Sequence, residues 1–357
     1  MMMRLLMCLV ALAGPPTGMA GKDPSASPAL AFLEKGERLF KQGDTAGALA
    51  AFDAAAKADP KDARAHYLRG VALEKQGDAA GADRAYRAAL VRKTDFAEAH
   101  NNLGTLLQAK AESAAAAREF EAAAKSRADY PEAQFNLGVA RDALGAKAEA
   151  VSAYREAVRL KPSDAAYHMN LGAALRRTGD VDGALREMKE SLRLSPKDPA
   201  IWANVGMIES DKKEFDAAAA SLERATRLKP DFALAWNRLG RVELRRGNHQ
   251  GALAAARQAR RLEPKNAGFA ADLCRAFIEV EDTSGAVAEC RAAVGLDGRN
   301  SLARYELIKA LVAKGDCADS KKELDAFRAL PDVKAEAKAQ AVAIAKTCGQ
   351  AGPALKK

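Results

Sequence analysis

Aromatic residues are scarce in this chain, 5% of 357, with two tryptophans and four histidines in all. Non-specific binding of single-stranded nucleic acid uses aromatics interleaved with basic residues. The net charge of +9 is therefore not read as a nucleic-acid footprint. Long apolar runs are missing too. Leu5 to Ala13 is nine residues, whereas a membrane span needs about 20, so membrane contact is expected only indirectly. No segment reads as a β-strand region. No Cys-x-x-Cys spacing occurs, which argues against a structural zinc site. Phosphate loop, nucleophile elbow and metal-ligand motifs are all absent. The chain is therefore expected to be no enzyme, with no catalytic residue, no cofactor and no metal.

What the chain does have is periodicity. Gly36, Gly70, Gly104, Gly138, Gly172, Gly206 and Gly240 recur at a step of 34. Ala48, Ala82, Ala116, Ala150, Ala184, Ala218, Ala252 and Ala286 run in phase with them. So do Ala55, Ala89, Ala123, Ala157, Ala225, Ala259 and Ala293, with Ser191 in the gap. Small residues phased over most of a chain mark an array of helix-turn-helix units. In such an array each unit packs on its neighbours.

The ladder divides the sequence. Residues 1–20 read as a secretory signal peptide: Arg4, the apolar run, a Gly-Pro-Pro break, then Gly18-Met19-Ala20 as the cleavage site. Removing them takes the charge from +9 to +8, since Arg4 is their only charge. Residues 21–28 form a flexible leader. Nine 34-residue units run from 29 to 334, residues 335–348 form a polar capping helix, and 349–357 is a loose tail. Within a unit, positions 4, 7, 8 and 11 of the first helix and 20, 24 and 27 of the second are expected to face inward. Turns such as Gln42-Gly43-Asp44 end one helix on Gly and open the next on an Asp N-cap. Pro near position 32 stops the second helix.

This pattern resembles the tetratricopeptide repeat: an aromatic at position 4, Leu-Gly at 7 and 8, Ala at 20 and 27, an aromatic at 24 and Pro at 32. The resemblance covers residues 29–334. It weakens in the last two units, where Cys274 and Ile308 stand in place of Gly. It implies an all-α solenoid coiled as a right-handed superhelix. His66, His100 and His168 stand where the family has Trp, while Trp202 and Trp236 conform. They are one repeat or more apart, so they read as structural histidines rather than metal ligands.

The register then places the cysteines. Antiparallel neighbours within a unit pair positions that sum to about 32, and Cys274 and Cys290 occupy positions 8 and 24. Across the next hinge the sum is about 65, which Cys317 and Cys348 meet at positions 17 and 48. Disulfides Cys274–Cys290 and Cys317–Cys348 follow, in keeping with an exported chain. Four buried thiols are the alternative.

In the resembled family the first helices line a concave groove, with positions 2, 5, 6, 9, 12 and 13 pointing into it. Position 6 is Asn102, Asn136, Asn170 and Asn204 in successive units. The row resembles the asparagine ladder of the O-linked N-acetylglucosamine transferase family, whose amides bind the backbone of an extended peptide. An amide both donates and accepts, so it suits any peptide backbone. The alternative is an Asn row that only solvates the face. Tyr67, Phe135 and Met169 make the groove partly apolar toward the N-terminus. Arg177, Arg238, Arg241, Arg275 and Lys309 make it basic toward the C-terminus, with Arg176 and Arg245 beside them. The complement would be an acidic segment or free carboxylate.

The expected function is an exported, periplasmic, non-catalytic scaffold or adaptor. It would bind a protein or extended peptide in a secretion, pilus, motility or cell-wall assembly. A binding module for an anionic envelope glycan or lipid head group is the alternative. Oligomeric state is left open.

Overall fold

The computed structural model describes residues 27–349, and the expected signal peptide and most of the loose tail lie outside them. The described residues are all-α, with nineteen helices and no strand. They are α1 (Pro28–Lys41), α2 (Thr45–Ala58), α3 (Ala63–Lys75), α4 (Ala79–Arg92), α5 (Ala97–Ala109), α6 (Ser113–Ser126) and α7 (Pro131–Ala143). Next come α8 (Lys147–Leu160), α9 (Ala165–Thr178), α10 (Val181–Leu194), α11 (Pro199–Asp211), α12 (Phe215–Leu228) and α13 (Ala233–Arg246). The last are α14 (His249–Leu262), α15 (Ala267–Glu279), α16 (Thr283–Leu296), α17 (Ser301–Lys314), α18 (Cys317–Arg328) and α19 (Ala335–Lys346). The chain divides into two compact units, one ending at Leu106 and the other starting at Leu107, within α5.

The glycine ladder has a steric cause. A Cβ on Gly70 would sit 2.5 Å from the ring of Tyr86, and one on Gly206 would sit 2.7 Å from Cγ of Leu222. Position 8 is thus the floor on which the large side chain at position 24 rests. Tyr86 and Tyr154 are 0% and 1% exposed, as a result. Cys274 and Cys290 occupy the same two positions, and there the contact becomes a disulfide with Cα atoms 5.2 Å apart. The second disulfide joins Cys317 to Cys348, with Cα atoms 5.5 Å apart. It ties the chain just beyond α19 to the start of α18. Ala341 of α19 is buried with Ile308, Leu324 and Phe327.

Each pair of helices turns through position 15, which is left-handed in all nine units. Gly43, Gly77, Gly145, Gly179, Gly247 and Gly315 hold it at φ between 75° and 90°. Ala111, Lys213 and Glu281 hold it at φ 61–64°, where a Cβ is strained. Asp44, Asp78, Asp180, Asn248, Asp282 and Asp316 follow, each accepting from a backbone N–H in the first turn of the second helix.

Two buried columns were not expected. Position 3 (Ala65, Ala99, Ala133, Tyr167, Ile201, Ala235, Phe269, Ala303) is at most 7% exposed, and position 10 (Ala72, Leu106, Ala140, Ala174, Ile208, Val242, Ala276, Ala310) likewise. Position 4, expected in the core, is mostly half-buried. Its N–H reaches the carbonyl six residues earlier: Trp202 to Pro196 and Trp236 to Pro230, both at 2.9 Å, and Arg304 to Gly298 at 3.0 Å. His66, His100 and His168 place Nε2 at 3.2, 2.9 and 2.9 Å from Pro60, Thr94 and Pro162. The histidines thus do the work of the tryptophan N–H, tying each first helix to the loop before it. Burial above all, with Arg92 and Arg69, holds the pKa of His66 below its ordinary value, against the Pro60 hydrogen bond.

Candidate inner-face binding site

In the first unit the expected groove residues are engaged internally. Tyr67 does not line a groove. It is 9% exposed, its ring 5.8 Å from that of Tyr86 and 4.9 Å from that of Phe96. Asn102 donates weakly from Nδ2 to the hydroxyls of Tyr67 and Tyr86, at 3.4 and 3.3 Å. The Tyr86 hydroxyl donates to Glu74 at 2.6 Å. Burial first, then the Glu74 carboxylate, pushes the Tyr86 pKa far above that of a free phenol. Asn102 is thus committed to a tyrosine network, so the expectation of a free peptide-binding amide there is corrected.

In the second unit the first helices stand side by side. Contacts 35 residues apart mark their edges: Asn237 Nδ2 donates to Asp272 at 2.7 Å, and Arg177 and Arg176 pair with Asp142 and Asp211. The ring of Phe135 stacks on that of Tyr167 with centroids 4.8 Å apart. Phe135 and Met169 are half-buried, so their apolar surface is only partly available. The three asparagines here, Asn136, Asn170 and Asn204, are half-exposed on α7, α9 and α11. Asn170 donates one amide hydrogen to the Ala166 carbonyl at 2.8 Å. Asn204 makes no side-chain hydrogen bond among the described residues.

The five cations expected on this face separate into two sets. Arg177 is spent on Asp142, which also accepts from the Tyr154 hydroxyl at 3.3 Å. Lys309 is spent on buried Glu306, at 3.0 Å. Both therefore leave the proposed basic surface, and their partners lay at legible spacings, 35 and 3 residues away. Arg238, Arg241 and Arg275 have no carboxylate partner among the described residues. Arg238 is half-buried and donates only a long bond, 3.5 Å, to the Ala203 carbonyl. Burial first, then Arg176 and Arg241, pushes its pKa down to about 10. Beside it a cavity of about 160 Å³ is lined by Arg241, Leu244, Arg245, Arg275 and Glu279. Arg245, also without a carboxylate, lies 5.9 Å from the ring of Phe215.

Among the described residues no group of three or more His, Cys, Asp or Glu side chains could hold a metal ion, and no helix is long and apolar enough to cross a membrane. Residues 94–344 match the family model for the C-terminal domain of cilia and flagella-associated protein 70, and residues 33–102 match that for the tetratricopeptide repeat. The chain belongs to the tetratricopeptide repeat family. No curated protein matches it. Similar folds occur in three tetratricopeptide-type structures. The Cut9–Hcn1 complex of the APC/C is 19% identical with a TM-score of 0.56, over 78% of this chain and 55% of that one. A tetratricopeptide protein of Cytophaga hutchinsonii is 18% identical with a TM-score of 0.53, over 68% and 99%. PilF of Pseudomonas aeruginosa is 20% identical with a TM-score of 0.51, over 58% and 95%. This chain thus spans about half the length of the Cut9–Hcn1 chain it matches. At these identities the tetratricopeptide solenoid is what is shared.

Proposed function

We propose that this protein is an exported, non-catalytic scaffold of the periplasm of a Gram-negative bacterium, serving a secretion, pilus, motility or cell-wall assembly. The first-helix face of its second unit binds an extended segment of a partner protein. The observation that carries this reading is the row Asn136, Asn170 and Asn204 on three adjacent first helices. Their carboxamides are half-exposed, and that of Asn204 is unspent. Peptide backbone presents one donor and one acceptor per residue, which a carboxamide matches whatever the side chains are. The unpartnered arginines beside the row favour a segment with an acidic end.

The test begins with a partner captured from envelope extract and identified. Asn170→Ala with Asn204→Ala removes two amide contacts worth about 1 kcal/mol each. The dissociation constant should rise roughly thirtyfold, since each 1.4 kcal/mol is tenfold. Unchanged affinity in that variant, with binding abolished by Arg241→Glu, would overturn the asparagine reading. It would favour the second reading, a module for an anionic glycan or lipid head group, which the unpartnered arginines support. Export is checked separately by N-terminal sequencing of protein from the periplasmic fraction, expected to begin at Gly21.

A further inference from the structure

Several arginines of this protein are neutralised where they stand. Arg159 and Arg193 pair with Glu156 and Glu190 one turn away, and Arg260 and Arg304 with Glu289 and Glu323 across helices. The cavity between α13 and α15 gathers three that are not. Arg241 and Arg245 come from α13 and Arg275 from α15, all three exposed and none with a carboxylate partner. Arg238 reinforces them from one turn earlier on α13. Bringing like charges together costs free energy, and the pairs named above show how a carboxylate offsets it. Here no carboxylate of the described residues comes within ion-pair distance of the three guanidiniums, so the cluster can accept an anion from outside.

The lining also says what kind of anion fits. Three guanidiniums and one carboxylate, Glu279, line the cavity, so the wall carries a net charge of +2. A carboxylate brings one negative charge and two oxygens in a plane, enough for one bidentate guanidinium. A phosphate monoester brings about −1.5 to −2 at neutral pH and three terminal oxygens set tetrahedrally, which can take forks from two helices at once. A volume of about 160 Å³ is about five times the roughly 30 Å³ that one water occupies in the liquid. That leaves room for the phosphate and the first atoms of its ester, with Leu244 as their apolar wall. We propose that the cavity lined by Arg241, Arg245 and Arg275 is a subsite for a phosphate monoester. Only the source of the phosphate rests on the groove reading: a phosphorylated residue of the bound segment, or a free phosphorylated small molecule.

Phenyl phosphate and benzoate are the probes, titrated against the full-length protein by calorimetry. Phenyl phosphate should bind about tenfold or more tighter than benzoate at pH 7.5, since it engages more than one guanidinium. Its advantage should fade toward pH 5.5, as the ester takes up a proton with a pKa of about 6. Arg275→Ala and Arg241→Ala should each weaken it about tenfold, while Arg224→Ala, exposed on α12, leaves it unchanged; circular dichroism checks the fold of each. Equal affinities for the two probes, or an Arg275→Ala protein that binds phenyl phosphate as well as the parent, would overturn the proposal. A phosphoserine peptide then separates the sources. If it binds more tightly than phenyl phosphate and weakens in Asn170→Ala with Asn204→Ala, the phosphate belongs to the bound segment. If that double variant binds it unchanged while Arg275→Ala does not, the subsite stands and the asparagine row does not.

Discussion

Lys213 sits with φ at 64° where six of the other units have glycine in the same left-handed turn. A residue with a Cβ loses roughly 1–2 kcal/mol there. Glycine gives back about 0.5–1 kcal/mol of that through the extra freedom of its unfolded chain. Lys213 is exposed and forms no ion pair among the described residues, so nothing is lost with its side chain. Lys213→Gly should therefore stabilise the protein by about 0.5–1 kcal/mol, read as a higher urea midpoint in tryptophan fluorescence. A lower midpoint would mean that the turn is not strained. The same scale shows why position 4 was misread. Trp, His and Arg share little as apolar residues, and a pattern sought in hydrophobicity places the first two in the core. What they share is an N–H that reaches a carbonyl six residues back, and that is the property the position uses.

At the scale of the element, the 8–24 contact was legible because its demand is severe. Only glycine fits under Tyr86 or Leu222, so the position is Gly in the first seven units, and Cys274–Cys290 could be placed by the same register. Positions 3 and 10 are as deeply buried but accept Ala, Val, Tyr, Ile, Leu or Phe according to local space. Their identity changes from unit to unit, and the period is hidden. The inner face was only half legible for a related reason. Its residues were identified, but Tyr67, Asn102 and Arg177 are spent on partners outside their own helices, which the pattern of one helix does not show, and Lys309 on Glu306 one turn earlier in its own helix. The last element is held differently from the rest. α19 is twelve residues long with one fully buried side chain, Ala341, and a helix of that length is marginal on its own. The Cys317–Cys348 disulfide closes a separation of 31 residues, worth about 3–4 kcal/mol in the chain-entropy picture. Cys348→Ala should therefore raise amide exchange across α19 by orders of magnitude, with α13 to α15 unchanged. Unaltered exchange in α19 would show that packing on Ile308 and Phe327 suffices without the bridge.

For the molecule as a whole, the energetics of a repeat array are nearest-neighbour terms rather than one shared core. The chain's two tryptophans, Trp202 and Trp236, both lie beyond Leu107, so their fluorescence reports on the second unit alone. Circular dichroism reports on helices of both units. Tyr86, in the first unit, is fully buried over Gly70, and its truncation to Ala should cost about 3–5 kcal/mol locally. If coupling decays over a few repeats, Tyr86→Ala will lose part of its helical signal early in a urea titration. Its fluorescence transition should stay within about 0.5 kcal/mol of the parent's, the limit within which distant sites behave independently. A fluorescence midpoint that falls together with the dichroism would mean that the nineteen helices melt as one. In that case a substitution in the first unit would reach the arginine cavity through global stability. Binding measured with first-unit variants would then have to be read at urea concentrations well below the transition.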